Sequence, residues 1–544
     1  MCLWTAVGCV KNLAAEARVV LGAVGLLVVG GGQALGAEAL IATNAPRIGL
    51  VEAMRATLQR DPNIQIQEEQ VKFSKGSVLR EAGVFDFTFD SELSQGTLRT
   101  PRTLVERLIN QTNRTEVVAD ITSQRASVGK LFRAGPSASA GVELNRIGNN
   151  IDPDVANRAN VNFVLNVPLL KGFGSASTAA NELAAKVVQE GAVLELGFVT
   201  SQRLLNTAAT YWELLGAEVN LETLTASATR ASNLLQRVRQ LVSGGEIPAA
   251  ELRQTEADLA RKSAEVKAGE QRFVQARQNF GLALGYSSAE LHLVPLPQPD
   301  WPALDTNSVP PMFTGQSIID RSLLRRGDYQ AAIKSESAAA VLEKAARKDL
   351  KPQLDLTMEL SYAGLSEGSE FRRFYTSLDP RPVDGPSAVG TLRFVYPFGN
   401  RSARGLLVQR EALRSQAKLR EQNLARGIGS AIMVAFSDLE QSSQEALRAR
   451  EAVALYRQTV DNEREKLRIG ASTIVDIITI ADRLDDAEIR ATDALVRYSI
   501  ALARIRYETG LLPATVNRSA TISIDDFRTL PRQSDLESIA QPSE

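Results

Sequence analysis

Few residues in this chain of 544 have the means to do chemistry. His292 is the sole histidine, and the cysteines are Cys2 and Cys9. That leaves little material for a metal site or an acid–base pair. His292 lies in a proline-rich stretch, "LHLVPLPQPDW", where a solvated or locally packed ring is expected rather than a catalyst. The one G-x-S-x-G match, "GLSEG" (Gly364–Gly368), runs from an alternating segment into a polar, proline-containing stretch with no helical pattern, so it is no nucleophile elbow, and "GFGS" (Gly172–Ser175) lacks the setting of a nucleotide-binding loop. No catalytic residue, cofactor or metal is therefore expected. What stands out is a pair of carboxylates. Asp476 stands six residues past Gly470 in "LRIGASTIVD", and Glu251 stands six past Gly245 in "GGEIPAAEL". Each opens a helical run, where the helix dipole favours negative charge. With 62 basic and 63 acidic residues the net charge is −1, which gives no reason to expect nucleic acid as a partner.

Both glycines interrupt long helical patterns. Ala176–Val242 and Ala403–Arg468 each run about 66 residues, ~100 Å at 1.5 Å per residue, far beyond a globular helix. From Leu424 through Ile428, Ala435 and Ala446 to Val460, apolar and small residues recur at 4-and-3 spacing. That is a coiled-coil seam whose alanines imply close backbone approach. The helices beyond the glycines, Pro248–Leu284 and Ser472–Thr509, are shorter, as are those over Ile48–Gly83 and Gly315–Asp349. Two short helices end to end match one long helix, as a double-layered wall requires.

The same parts recur in the same order. "LQRDPNIQ" (Leu58–Gln65) and "LRRGDYQA" (Leu324–Ala331) lead into alternating strands; "VPLLKGFG" (Val167–Gly174) and "FVYPFGNR" (Phe394–Arg401) close them. This predicts a duplication over residues 40–290 and 315–513, with a Pro-rich connector at 291–314 and a polar tail at 514–544. Ahead of them, Lys11 and Arg18 precede the uncharged run Val19–Ala37, which ends in small residues near "AEA" (Ala37–Ala39). That order predicts a secretory signal peptide over 1–39. The alternative, a membrane anchor, needs ~20 apolar residues, and this run is broken by three glycines. Both cysteines fall inside it, so no disulfide is expected in the mature chain.

The strand segments alternate strongly. Asn160–Leu169 puts Val161, Phe163, Leu165, Val167 and Leu169 on one face, and Asn160, Asn162 and Asn166 on the other. Leu354–Tyr362, Phe85–Leu93 and Gly390–Phe398 read the same way. An amphipathic sheet over a soluble core would show this pattern. So would a transmembrane β-barrel, apolar to lipid and polar to a lumen, with strands of ~9–11 residues. Export and a thiol-free chain favour the barrel. Ser137–Leu144 also alternates, and residues 95–135 have no counterpart in the second half, so the first half offers more strand candidates than the second.

This layout resembles the TolC-like outer-membrane efflux protein family over about Ile48 to Pro513. "LRIGASTIVD" looks like the family's periplasmic helix-turn tip, and "LQRDPNIQ" and "VPLLKGFG" are similar to its junction signatures. The resemblance implies an α+β membrane protein of the outer membrane: a homotrimer, four strands per chain in one shared twelve-stranded barrel, and a twelve-helix coiled-coil tunnel across the periplasm. A chain with four clear strands must borrow partners to avoid lipid-exposed edges, which agrees with a trimer. By resemblance, a periplasmic adaptor protein would meet Ser243, Gly244, Gly245 and Glu246 in one tip, and Arg468, Ile469, Gly470, Ala471 and Ser472 in the other. An inner-membrane pump or ATP-driven exporter would stand behind it. Asp476 matches the family's pore-constriction position, with Glu251 its first-half counterpart; three copies of an aspartate form a ring that attracts cations. Thr479 stands where the best-known member has a second aspartate, and Ser472 where that member has a gate-locking arginine. A double acidic ring and an arginine lock are therefore not expected. The function implied is a passive exit duct for efflux or protein secretion. The competing expectation is an exported coiled-coil scaffold whose strands form a head domain.

Overall fold

The computed structural model describes residues 46–109, 111–151, 154–304, 316–379, 386–512, 525–529 and 531. The expected signal peptide, with Cys2 and Cys9, and most of the expected tail lie outside the described residues.

Eight helices carry the architecture. The first half supplies α1 (Leu50–Arg60), α2 (Pro62–Ala82), α3 (Ala180–Ser243) and α4 (Ala250–Ala283). The second supplies α5 (Gln316–Arg325), α6 (Gly327–Lys348), α7 (Arg401–Arg468) and α8 (Ile474–Glu508). The long helices α3 and α7 run 64 and 68 residues, close to what their periodicity predicts. The shorter α2 and α4 both pack on α3, and α6 and α8 both pack on α7; α6 and α8 also pack on α3, joining the halves. Two short helices thus line each long one. Among the described residues no helix is long and apolar enough to cross a membrane.

Local chemistry sets the boundaries. Asp61 caps α2, accepting from the amides of Asn63 at 2.6 Å and Ile64 at 3.3 Å, with Pro62 at the first helical position where its missing N–H costs nothing. One core forms where α1, α3 and α4 meet, around the fully buried Met54, Tyr211, Trp212, Phe273 and Phe280. The connector is tied in there: β1 (Arg47–Ile48) pairs in parallel with β6 (Leu296–Pro297), and the Tyr211 hydroxyl donates to the Gln298 carbonyl at 2.9 Å. A second core joins α7 to α8 through Ile432, Ala435, Leu439, Ala494 and Leu502. Ala435 and Ala494 are both wholly buried, so the small residues of the seam bring the backbones close.

The large sheet is antiparallel throughout. Its order is β2 (Phe87–Pro101), β3 (Glu116–Leu131), β4 (Ser137–Asn149), β5 (Ala156–Pro168), β7 (Gln353–Glu367) and β8 (Ser387–Val395). The sheet therefore has six strands, two more than the four expected of each chain. β3 lies in a segment whose own alternation is weak, and only pairing with β2 and β4 gives it a register.

That register sorts the residues into two faces. One row across all six strands reads Phe89, Val128, Ala140, Phe163, Leu360, Ala388. The next row, on the opposite face, reads Asp90, Ser127, Gly141, Asn162, Ser361, Ser387. The polar face also pairs Arg125 with Glu143 across strands at 3.4 Å. Large aromatic side chains collect near the helix end of the sheet: Phe87, Phe132, Tyr396 and Phe398 are exposed there, with Lys130 Nζ 4.0 Å from the Phe87 ring centroid. At the far end, a short helix (Arg372–Thr376) in the β7–β8 connection lies on the apolar face, burying Phe374 against Leu144 and Ala159.

Candidate functional site

The two helix-turn tips are built by one device. At the end of α3, Gly245 adopts φ +75°; its N–H donates to Val242 at 3.0 Å, and that of Glu246 to Leu241 at 2.9 Å. At the end of α7, Gly470 adopts φ +74°; its N–H donates to Leu467 at 3.0 Å, and that of Ala471 to Lys466 at 2.8 Å. A left-handed glycine satisfies the last carbonyls and reverses the chain. Gly285 and Gly510 end α4 and α8 in the same way, at φ +82° and +70°. Each pair, 245 with 470 and 285 with 510, is separated by 225 residues.

The expected contact residues sit at these ends. Ser243, Gly244, Gly245, Glu246, Arg468, Ile469, Gly470 and Ala471 are exposed, and Ser472 is half-buried. Ile469 offers a large apolar side chain 65% open to solvent. Arg468 pairs locally with Glu465 at 2.6 Å, and the Ser472 hydroxyl donates to Glu463.

Asp476 is held in a capping box. Its N–H donates to Thr473 Oγ1 at 3.2 Å, while the Thr473 N–H and hydroxyl donate back to its Oδ2 at 3.1 and 2.7 Å. The Thr473 hydroxyl, then its backbone N–H, hold this carboxyl below its usual range. The side chain nevertheless stays exposed, so its charge is also presented beyond the tip. Thr479 lies one turn on, exposed, its hydroxyl donating to the Val475 carbonyl at 2.8 Å. Glu251, on the other hairpin, is half-buried, with Oε2 shielded and unpaired. Thr473→Ala should weaken the start of α8 by about 1 kcal/mol, read as faster hydrogen exchange at the Asp476 amide.

Above the tips the structure reveals a cluster that no local pattern marks. Asp485 of α8 is 4% exposed and accepts from Ser227 and Arg230 of α3 and from Lys262 of α4, the last at 2.7 Å. Lys262 also reaches Asp482 at 2.6 Å, and Asp482 takes Arg261 at 2.6 Å. Three helices of both hairpins are thus joined by charge. The cluster borders a cavity of about 320 Å³ lined also by Leu241, Val460, Leu467 and Ile477. Among the described residues no group of His, Cys, Asp or Glu could hold a metal ion.

Comparison with solved structures gives the architecture a precedent. The chain superposes on the CmeC outer membrane channel of Campylobacter jejuni with a TM-score of 0.64, over 86% of this chain and 87% of that one, at 13% identity. This is the fold of the TolC-like outer-membrane channels. VceC, an outer membrane protein of Vibrio cholerae, gives a TM-score of 0.61 at 14% identity, over 85% of this chain and 96% of its own. The open state of the MtrE outer membrane channel of Neisseria gonorrhoeae gives 0.60 at 14% identity, over 85% and 88%. No protein-family model and no curated protein matches the sequence. At such identities the likeness is one of fold, and it extends over 85–86% of the chain.

Proposed function

We propose that the protein is a passive exit duct of the outer membrane, assembled as a homotrimer. The observation that carries this is an amphipathic sheet continuous with a helical wall, both open at two edges. β2 and β8 are exposed along their whole lengths, and their unpaired backbone groups need partners before they can lie in lipid. The helices at the same two edges expose large apolar side chains: Ile66 and Phe73 on α2, Val408 and Leu419 on α7. In a closed ring each neighbouring copy covers one of these edges, pairing with the sheet and packing on the helices at the same time. The apolar sheet face, with aromatic residues towards both ends, then faces lipid, and the polar face lines the lumen. The paired glycine spacings support an origin by duplication. A soluble scaffold head would have no use for open edges and an uncovered apolar face.

The mechanism is transport without reaction chemistry. The tips, Ser243–Glu246 and Arg468–Ser472, meet a periplasmic adaptor, and an inner-membrane pump or ATP-driven exporter supplies the energy for efflux of small molecules or secretion of protein. Asp476 lines the constriction with Glu251 and Thr479 nearby, so three carboxylates favour cations. The test is reconstitution of the detergent-extracted protein in planar bilayers, with its mass measured in parallel. A trimer with discrete currents is expected; a water-soluble monomer or dimer without currents defeats the reading. Asp476→Asn removes the charge yet retains an oxygen acceptor for the capping box, so it should lower cation selectivity with the helix intact. Unchanged reversal potentials would remove Asp476 from the constriction.

A further inference from the structure

The six-stranded sheet has a consequence for the width of the membrane portal. We propose that all six strands are wall strands, so that three copies close an eighteen-stranded barrel through β8 of one copy and β2 of the next. This rests on the trimeric duct reading. Three observations favour it over a wall that leaves the β2–β3 hairpin outside.

The first is continuity of chemistry. The apolar row from Phe89 to Ala388 and the polar row from Asp90 to Ser387 cross all six strands without a break in register. A hairpin outside the wall has no reason to keep the same two faces as its neighbours. The second is the point of entry. β2 follows α2, a helix of the wall packed on α3, after one short turn, so the chain is already in the wall at its first strand. The edge strands β2 and β8 run in opposite directions, as they also would in a four-stranded wall, so joining copies edge to edge keeps the barrel antiparallel throughout.

The third is the perimeter. The helices that adjoin the sheet form a row of four in each chain, α2, α3, α6 and α7. Twelve such helices at ~9–10 Å spacing make a ring of about 110–120 Å. Eighteen strands at ~4.8 Å spacing, tilted ~40°, make about 110 Å. Twelve strands at the same tilt make only about 75 Å. Six strands per chain let barrel and helical tunnel meet without a step.

The test is inter-copy disulfide trapping in a chain with Cys2 and Cys9 replaced by serine. Thr391→Cys on the polar face of β8 is combined in turn with Thr88→Cys, Asp90→Cys, Glu92→Cys and Ser94→Cys on the polar face of β2. Oxidation of the detergent-extracted trimer should convert one of these pairs to a covalent trimer. A parallel series pairs Thr391→Cys with Ser139→Cys or Glu143→Cys on β4. A link through β4, or no link in the β2 series from a trimer that still conducts, overturns the eighteen-stranded wall and leaves the duct. Loss of trimer and currents in the unsubstituted protein overturns both.

Discussion

Asp485→Ala should destabilise the packing of α3, α4 and α8 by about 3–5 kcal/mol, the range found when one partner of a buried ion pair is removed. Asp485 and Lys262 are 4% and 5% exposed, and Lys262 keeps only the Asp482 carboxylate once Asp485 is gone. Arg230 loses its acceptor at the same time. A partly compensated, buried ammonium beside the cavity draws in water or swings out, and either motion opens the interface above the tips. Hydrogen exchange along α4 and α8 should rise well before the sheet is affected. Adding Lys262→Met should recover much of the loss, because the interface then holds an apolar side chain in place of a stranded charge. Exchange unchanged in Asp485→Ala would mean that the cluster carries no net weight.

The cluster also has a defined pH window. Burial alone would raise the Asp482 carboxyl, but Arg261 and Lys262 outweigh it, leaving the group below its usual range. Its contribution is present above the ordinary carboxylate pKa of ~3.9 and is lost as pH falls through the lower folded value. Burial pushes the Lys262 ammonium down, but Asp482 and Asp485 push it up further, so its net shift is upward. Its contribution is full below ~10.4 and is lost as pH rises through the higher folded value. The joined hairpins should therefore show constant exchange between about pH 5 and 9 after correction for intrinsic rates.

Gly285→Ala should cost about 2–5 kcal/mol, with Gly510→Ala close behind. A left-handed alanine costs roughly 1–2 kcal/mol, and forcing a methyl into packed atoms costs about 1–3 more. A Cβ on Gly285 would lie 2.7 Å from the carbonyl carbon and oxygen of Arg60, which are backbone and cannot swing away. On Gly510 it would lie 2.8 Å from Arg325 Cβ and 3.3 Å from the Arg325 carbonyl carbon. Gly245 and Gly470 have the same backbone sign but open space around them, so alanine there should cost only the conformational part. Unfolding of the purified protein in detergent should rank Gly285 and Gly510 as the costly pair. Equal costs at all four would show that the junctions at Arg60 and Arg325 yield to a methyl group.

Much of the fold was legible before any contact was known. Helix length, the glycine reversals and the alternating strands of β2, β5, β7 and β8 are properties of short windows, set by backbone periodicity and by the conformations that glycine alone tolerates. The order of those windows sufficed to suggest the TolC-like layout. β3 escaped because its residues alternate weakly, and its place depends on hydrogen bonds to neighbours whose faces were already defined. The carboxylate at Asp476 was located by its spacing, which suits both a helix start and a charged constriction; its capping box with Thr473 became visible only in the structure.

Tertiary structure alone assembled the charge cluster. Ser227 and Asp485 are 258 positions apart, and neither belongs to a motif. Their meeting follows from which faces of α3 and α8 pack together, a choice made by the summed burial of many small residues along the seam. It also separated four glycines that look alike along the chain into two that turn in open solvent and two that lie against a neighbouring backbone. A local pattern records what one segment can do by itself. What two distant segments do to each other is decided only where they touch.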